Sequence, residues 1–241
     1  MKLFGKTCLF LFAALFFNAI QAKDLNETEK EISDWMIFYY KNPRPESVIP
    51  MVKKMNDVKA CRDGAIFPMA AFFSVLFEES KGLAEEVVRE VKNYPEKEKR
   101  CYGFALALSQ LPNKKMLFNE LSVNEEWIKK AIERDRKPLL NILPITAAAL
   151  DTYWGAFFAS GDIRYVEKVI SALPYLETKG DTDKLLVGAA AKWSLTSNAY
   201  QHEKVLNVCK EASKTAEPAV KKVLDDVIKE AQEARKKSGK V

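Results

Sequence analysis

Apolar residues recur at helical spacing along almost the whole chain. In the C-terminal segment, Val220, Val223, Leu224, Val227, Ile228 and Ala231 fall at i, i+3, i+4, i+7, i+8 and i+11, the stripe of an amphipathic helix. Leu83, Val87, Val88 and Val91 make a similar stripe, as do Ile163, Val166, Val169, Ile170 and Leu173. No segment alternates apolar and polar residues between turn signals, so the pattern predicts no strand. Other stretches are apolar on nearly every side: Tyr102–Leu111, Ile145–Ala159 and Leu185–Leu195. A helix without a polar face has to be enclosed by neighbours. Each of these carries one internal glycine, Gly103, Gly155 or Gly188. Glycine costs about 1 kcal/mol relative to alanine inside a helix, and close helix-to-helix approach is the expected compensation.

Apolar and amphipathic segments alternate across short polar turns, in the stretches 38–52, 72–88, 105–118, 156–170 and 193–208. Such units, spaced by roughly 30–45 residues, predict an all-α helix-pair array. In that array antiparallel pairs form an α-solenoid-like right-handed stack; the alternative is an irregular all-helical globule. Asn26 to Glu29 and Ser122 to Glu125 read as capping boxes. Pro138 and Pro144 bracket a connector, which makes 124–137 an extra helix.

These quoted helix–turn–helix stretches resemble, loosely, α-solenoids of the tetratricopeptide and HEAT class across most of residues 28–215. The period is not constant at 34, and the characteristic tetratricopeptide positions are not filled in order. The stretches LDTYWGAFFASGD (150–162) and AAKWSLTSNAYQH (190–202) also look like those of exported bacterial helical-repeat proteins with no established activity. The resemblance implies a protein or peptide partner bound on a helical surface, and no catalytic residue set comes with it.

The N-terminus changes the picture of compartment. Lys2 and Lys6 precede an unbroken apolar run, Cys8 to Phe17, and NAIQA follows. That order reads as a cleaved secretory signal over residues 1–22. The run is shorter than the ~20 apolar residues that span a bilayer, although a retained anchor is the competing reading. The expected organisation is one all-α domain over 23–233 and a basic disordered tail over 234–241, in the periplasm or outside the cell. Without Lys2 and Lys6 the chain has 36 basic and 33 acidic side chains, and four of the basic ones lie in that tail. A body so close to neutral lacks the concentrated basic stripe of a nucleic-acid surface.

Three cysteines follow the leader: Cys61, Cys101 and Cys209. The chain has no CxxC and a single histidine, so a zinc site of the usual composition is excluded, and no cofactor is expected. Cys61 and Cys101 stand at the entries of consecutive pairs, and a bridge between them needs Cα atoms within about 7 Å. Cys209 lies in the apolar stripe Val205, Leu206, Val208 and Ala212, and reads as a buried thiol.

His202 raises the one catalytic alternative. A hydrolase would use it as base, with Ser194, Thr196 or Ser197 as nucleophile and Asp151 or Asp162 to orient it. No Gly-x-Ser-x-Gly elbow or glycine-rich oxyanion segment accompanies these residues. In the competing reading, TSNAYQHE (196–203) is a polar bend between two helices and Asp162 caps the helix that starts at Ile163. Asp151 sits in an apolar helix and would need a partner such as Lys192. The candidate binding groove therefore comprises Asp151, Trp154, Lys192, Trp193, Asn198 and His202. A non-enzymatic envelope protein and an exported hydrolase both remain open here. Convergence of Asp151, Lys192, Asn198 and His202 in one open pocket would favour the hydrolase, and scatter or burial the binding protein.

Overall fold

All five polar turns join two helices in the structure, a computed structural model that describes residues 27–134 and 138–239. The expected leader over 1–22 and Asn26 of the first capping box lie outside the described residues, as do 135–137 of the extra helix. The helices are α1 (Glu27–Phe38), α2 (Val48–Asp57), α3 (Ile66–Glu79), α4 (Leu83–Val91), α5 (Glu96–Leu108) and α6 (Lys114–Leu121). Then follow α7 (Glu126–Glu133), α8 (Ala147–Ser160), α9 (Ile163–Ile170), α10 (Thr182–Gln201), α11 (Glu203–Thr215) and α12 (Pro218–Lys237). Among the described residues there is no strand, so the chain is all-α, and its packing fits the irregular all-helical globule.

Where one continuous domain was expected, the chain divides into two compact units. The first takes the described residues up to Ile142 together with 154–161; the second takes 143–153 and the residues from Asp162 onward. In the first unit α3, α5 and α7 pack side by side, α2, α4 and α6 form a second row, and each pair also touches within itself. In the second unit α10 is central. It packs against α9, α11, α12 and the 3₁₀ segment Leu173–Glu177.

The apolar helices are enclosed as their composition requires. In α3, Ile66 and every residue from Pro68 to Phe77 are buried, and each fully buried phenylalanine contributes about 1.5–3 kcal/mol. Phe72 meets Trp35, Tyr39 and Phe73 edge to face, with ring centroids 5.3, 5.5 and 5.5 Å apart. The internal glycines mark close approach. A Cβ at Gly155 would lie 2.1 Å from the carbonyl oxygen of Pro68, and one at Gly188 2.7 Å from the backbone nitrogen of Leu176.

Several boundaries differ from the sequence reading, each for a local reason. Ser122 does not start a helix. It sits at φ 55 and closes α6, while Glu125 precedes α7. Helix α5 opens at Glu96 rather than near Tyr102, so EKEKR forms its first turns. Helix α12 runs to Lys237, with Arg235 donating to the carbonyl of Tyr200 at 3.3 Å, so the start of the expected tail is helical. The Asp162 cap is present: its Oδ1 accepts from the Arg164 backbone N–H at 2.9 Å.

Cys61 and Cys101 are bridged, with Cα atoms 5.9 Å apart across a 40-residue separation. Closing a loop of that length contributes about 3–4 kcal/mol on the loop-entropy account.

The glycine contacts yield a direct test. Gly155→Ala gains intrinsic helix propensity yet drives a methyl group into a backbone carbonyl that has nowhere to move. The variant is expected to lose about 1–3 kcal/mol of stability, read as a lower urea midpoint. An unchanged or higher midpoint would refute the close approach.

Candidate functional site

Helix α10 extends further than its composition suggested, and this decides the fate of the candidate groove. TSNAYQ is helical through Gln201, and the bend is the single residue His202, at φ −122 and ψ 112. On a continuous helix with 100° per residue, Lys192 and Asn198 point about 120° apart and Trp193 and Asn198 about 140° apart. The residues that a bend near 197 would have gathered are spread over different faces.

Each has a structural occupation. The Lys192 ammonium pairs with Asp226 of α12 at 3.4 Å, not with Asp151. Asn198 Nδ2 donates to the Ser194 carbonyl at 2.9 Å. The His202 backbone N–H donates to the Asn198 carbonyl at 2.7 Å. The buried Asn198 Oδ1 accepts no hydrogen bond among the described residues. His202 is fully buried, and its carbonyl accepts from Leu206 N at 3.1 Å, so the residue joins the two helices. Trp193 is half-buried on α10.

Two of the three candidate nucleophiles, Ser194 and Thr196, are turned back onto their own helix. Ser194 Oγ donates to Ala191 O at 3.1 Å and Thr196 Oγ1 to Lys192 O at 3.1 Å, the local bonding typical of hydroxyls inside helices. Asp162 is held by Arg164, whose side-chain hydrogen bond keeps the carboxyl below its usual range. Cys209 is free and buried, and burial pushes its thiol up to about 12. Among the described residues no cluster of three or more His, Cys, Asp or Glu side chains is placed to hold a metal ion.

Asp151 and Trp154 remain. They lie three apart on α8, the first in the second unit and the second in the first. Asp151 is half-buried, and loss of hydration pushes its carboxyl up to about 7. Trp154 is buried against Phe157 and Phe158, and its Nε1 has no hydrogen-bond partner among the described residues.

Two features escaped the sequence reading, both in the first unit. The opening turns of α5 reach the loops on either side. Glu96 accepts from the backbone N–H of Asn124, and Lys99 donates to the carbonyls of Leu121 and Ser122 at 3.1 and 3.3 Å. Toward the other loop, Glu98 accepts from Cys61 N–H at 3.4 Å, and Arg100 donates to Cys61 O at 3.1 Å and pairs with Asp63 at 2.6 Å. Burial holds the Glu98 carboxyl above its usual range, against the lowering effect of the Cys61 N–H and the nearby cations. The charge run EKEKR next to a cysteine was the available signal. The second feature is a row of rings across three helices. Phe67 meets Phe104 at 5.6 Å, and Phe104 meets Trp127 at 4.9 Å, both edge to face. Trp127 ends the row 40 % exposed.

No protein-family model matches the chain, and neither a curated protein nor a solved structure matches it.

The Asp151 carboxyl gives a signed pH dependence. Its folded value lies above the unfolded ~3.9, so the folded state holds the proton more tightly. That contribution is full below the unfolded value and is lost as pH rises toward 7. Asp151→Asn is expected to flatten this decline and, after allowance for the side chain's partial exposure, to raise stability at pH 8 by about 1–3 kcal/mol. Urea denaturation at pH 5 and pH 8 reads the difference; an identical pH profile in both proteins would show that Asp151 is not the group responsible.

Proposed function

We propose that this is an exported, non-enzymatic binding or scaffold protein of the bacterial cell envelope, periplasmic or secreted, that engages a protein or peptide partner through a helical surface. The reading rests first on the exposed Trp127 at the end of the Phe67–Phe104–Trp127 row. Aromatic side chains anchored on a rigid element dominate the energetics of binding surfaces. Export is supported by the basic, apolar and small-residue order of the first 22 residues, and by the Cys61–Cys101 bridge, which suits an oxidising compartment. No helix among the described residues is long and apolar enough to cross a membrane. The side-by-side rows of the first unit support the likeness to helical-repeat proteins, which bind extended partners along such surfaces.

The exported-hydrolase alternative loses support because its residues do not converge. Lys192 is paired with Asp226, the neighbouring hydroxyls bond their own helix, and His202 is enclosed at a helix junction.

Cross-linking and affinity capture from native cell envelope test the reading. The wild-type chain is expected to retain a specific partner, and Trp127→Ala to weaken its capture by about 2 kcal/mol or more, roughly thirtyfold, with the helical circular dichroism unchanged. Absence of any specific partner, together with turnover of an ester or peptide substrate that Asp151→Asn and His202→Gln abolish without unfolding, would establish the hydrolase instead.

A further inference from the structure

The loop between α2 and α3 has one buried side chain. From Asn56 to Gly64, Cys61 alone is buried; the others are half-buried or exposed. Lys59 sits at φ 52, the left-handed region that β-carbon-bearing residues avoid. The loop's other ties are polar: Glu98 and Arg100 bond the two backbone groups of Cys61, Arg100 pairs with Asp63 at 2.6 Å, and Arg62 pairs with Glu29 of α1 at 2.6 Å. Helix α5, in contrast, is packed on both sides by α3 and α7, and its buried stretch runs from Cys101 to Leu108. Behind Cys61 a narrow crevice with no room for a water molecule is lined by Met55, Met69, Tyr94, Glu98 and Tyr102.

We propose that the Cys61–Cys101 bridge is a redox latch. A dithiol reductant releases the 56–64 loop and uncovers the Met55–Met69–Tyr102 crevice, while α3, α5 and the second unit keep their fold. Cys61 retains slight exposure (4 %) and Cys101 none, so the first thiolate attacks Cys61 Sγ and Cys101 departs as a thiolate. The second thiol of the reductant then displaces Cys61, the reductant becomes a cyclic disulfide, and the two cysteines each take up one proton. Bond cleavage thus removes the loop's one buried anchor and leaves the helix-to-helix contacts intact. This inference is independent of the partner-binding reading, since it concerns the loop and not Trp127.

The test uses the full-length protein with its leader removed, in dithiothreitol under native conditions. Thiol labelling is expected to reach Cys61 and Cys101 and to spare buried Cys209. Amide exchange across 56–64 is expected to accelerate about tenfold or more, while 102–108 and 182–215 keep their protection. The Cys61→Ser/Cys101→Ser double variant should reproduce the exchange pattern without reductant, and chemical reduction of the wild type keeps the test independent of how that variant folds. A bridge that resists dithiothreitol until the protein unfolds would overturn the latch. So would unchanged exchange in the loop, or loss of protection across the whole 66–108 segment.

Discussion

A helix that is apolar on every side has no stable place except between other helices, and α3 imposes that condition on the first unit. Its buried residues run around the full circumference, from Ile66 to Phe77. Helix α5 meets the same demand from Cys101 to Leu108. The two lie side by side, with α1, α2, α4 and α7 closing the remaining directions. In the second unit α10 takes the central place, among α9, α11, α12 and the 173–177 segment. Burial of this kind is non-directional. It holds helices together but does not choose which turn meets which.

Register comes from polar groups at the helix ends. Glu78 accepts from Gln110 N–H at 2.8 Å, Glu96 accepts from Asn124 N–H, and Glu98 accepts from Cys61 N–H. In each case a carboxylate on one helix satisfies a backbone donor in the loop of a neighbouring pair. Leaving a buried donor such as the Cys61 N–H unpaired costs about 1–3 kcal/mol, so that contact penalises slippage, while the other two lie at the surface. The disulfide adds a covalent constraint at one of the same points. Glu78 and Glu85 both bond to the 110–113 turn.

The region around His202 shows how chemistry-bearing side chains become structural ones. A lone histidine among hydroxyls, an amide, a lysine and a nearby aspartate has the ingredients of a hydrolase. The Ser194 and Thr196 hydroxyls, however, spend their donors on the turn behind them, the lysine neutralises a helix α12 carboxylate, and the imidazole lies under complete cover at a helix junction. Exposed aromatic surface lies elsewhere, at Trp127 on the short α7.

 Phe67, Phe104 and Trp127 stand on α3, α5 and α7, and they meet only because those three helices pack side by side.

Much of the fold was legible in the chain. The 3.6-residue apolar period located the helices, the polar breaks located four of the five turns, and the glycines inside the all-apolar helices marked Gly155 and Gly188 as points of close backbone contact. These are local properties, set by backbone hydrogen bonding and by which faces must leave water. The charge run before Cys101 and the row ending at Trp127 were not legible, because their partners lie in other helix pairs. The length of α10 was decided in the same way. Its polar residues from Thr196 to Gln201 have no intrinsic reason to continue a helix, but Asn198 and Ala199 are buried there and Arg235 of α12 donates to the Tyr200 carbonyl. The sequence by itself thus determined where helices form and which must be buried. Only the tertiary structure decided which polar side chains meet, because a hydrogen bond or ring contact needs two groups within a few ångströms, and that separation is set by packing rather than by order along the chain.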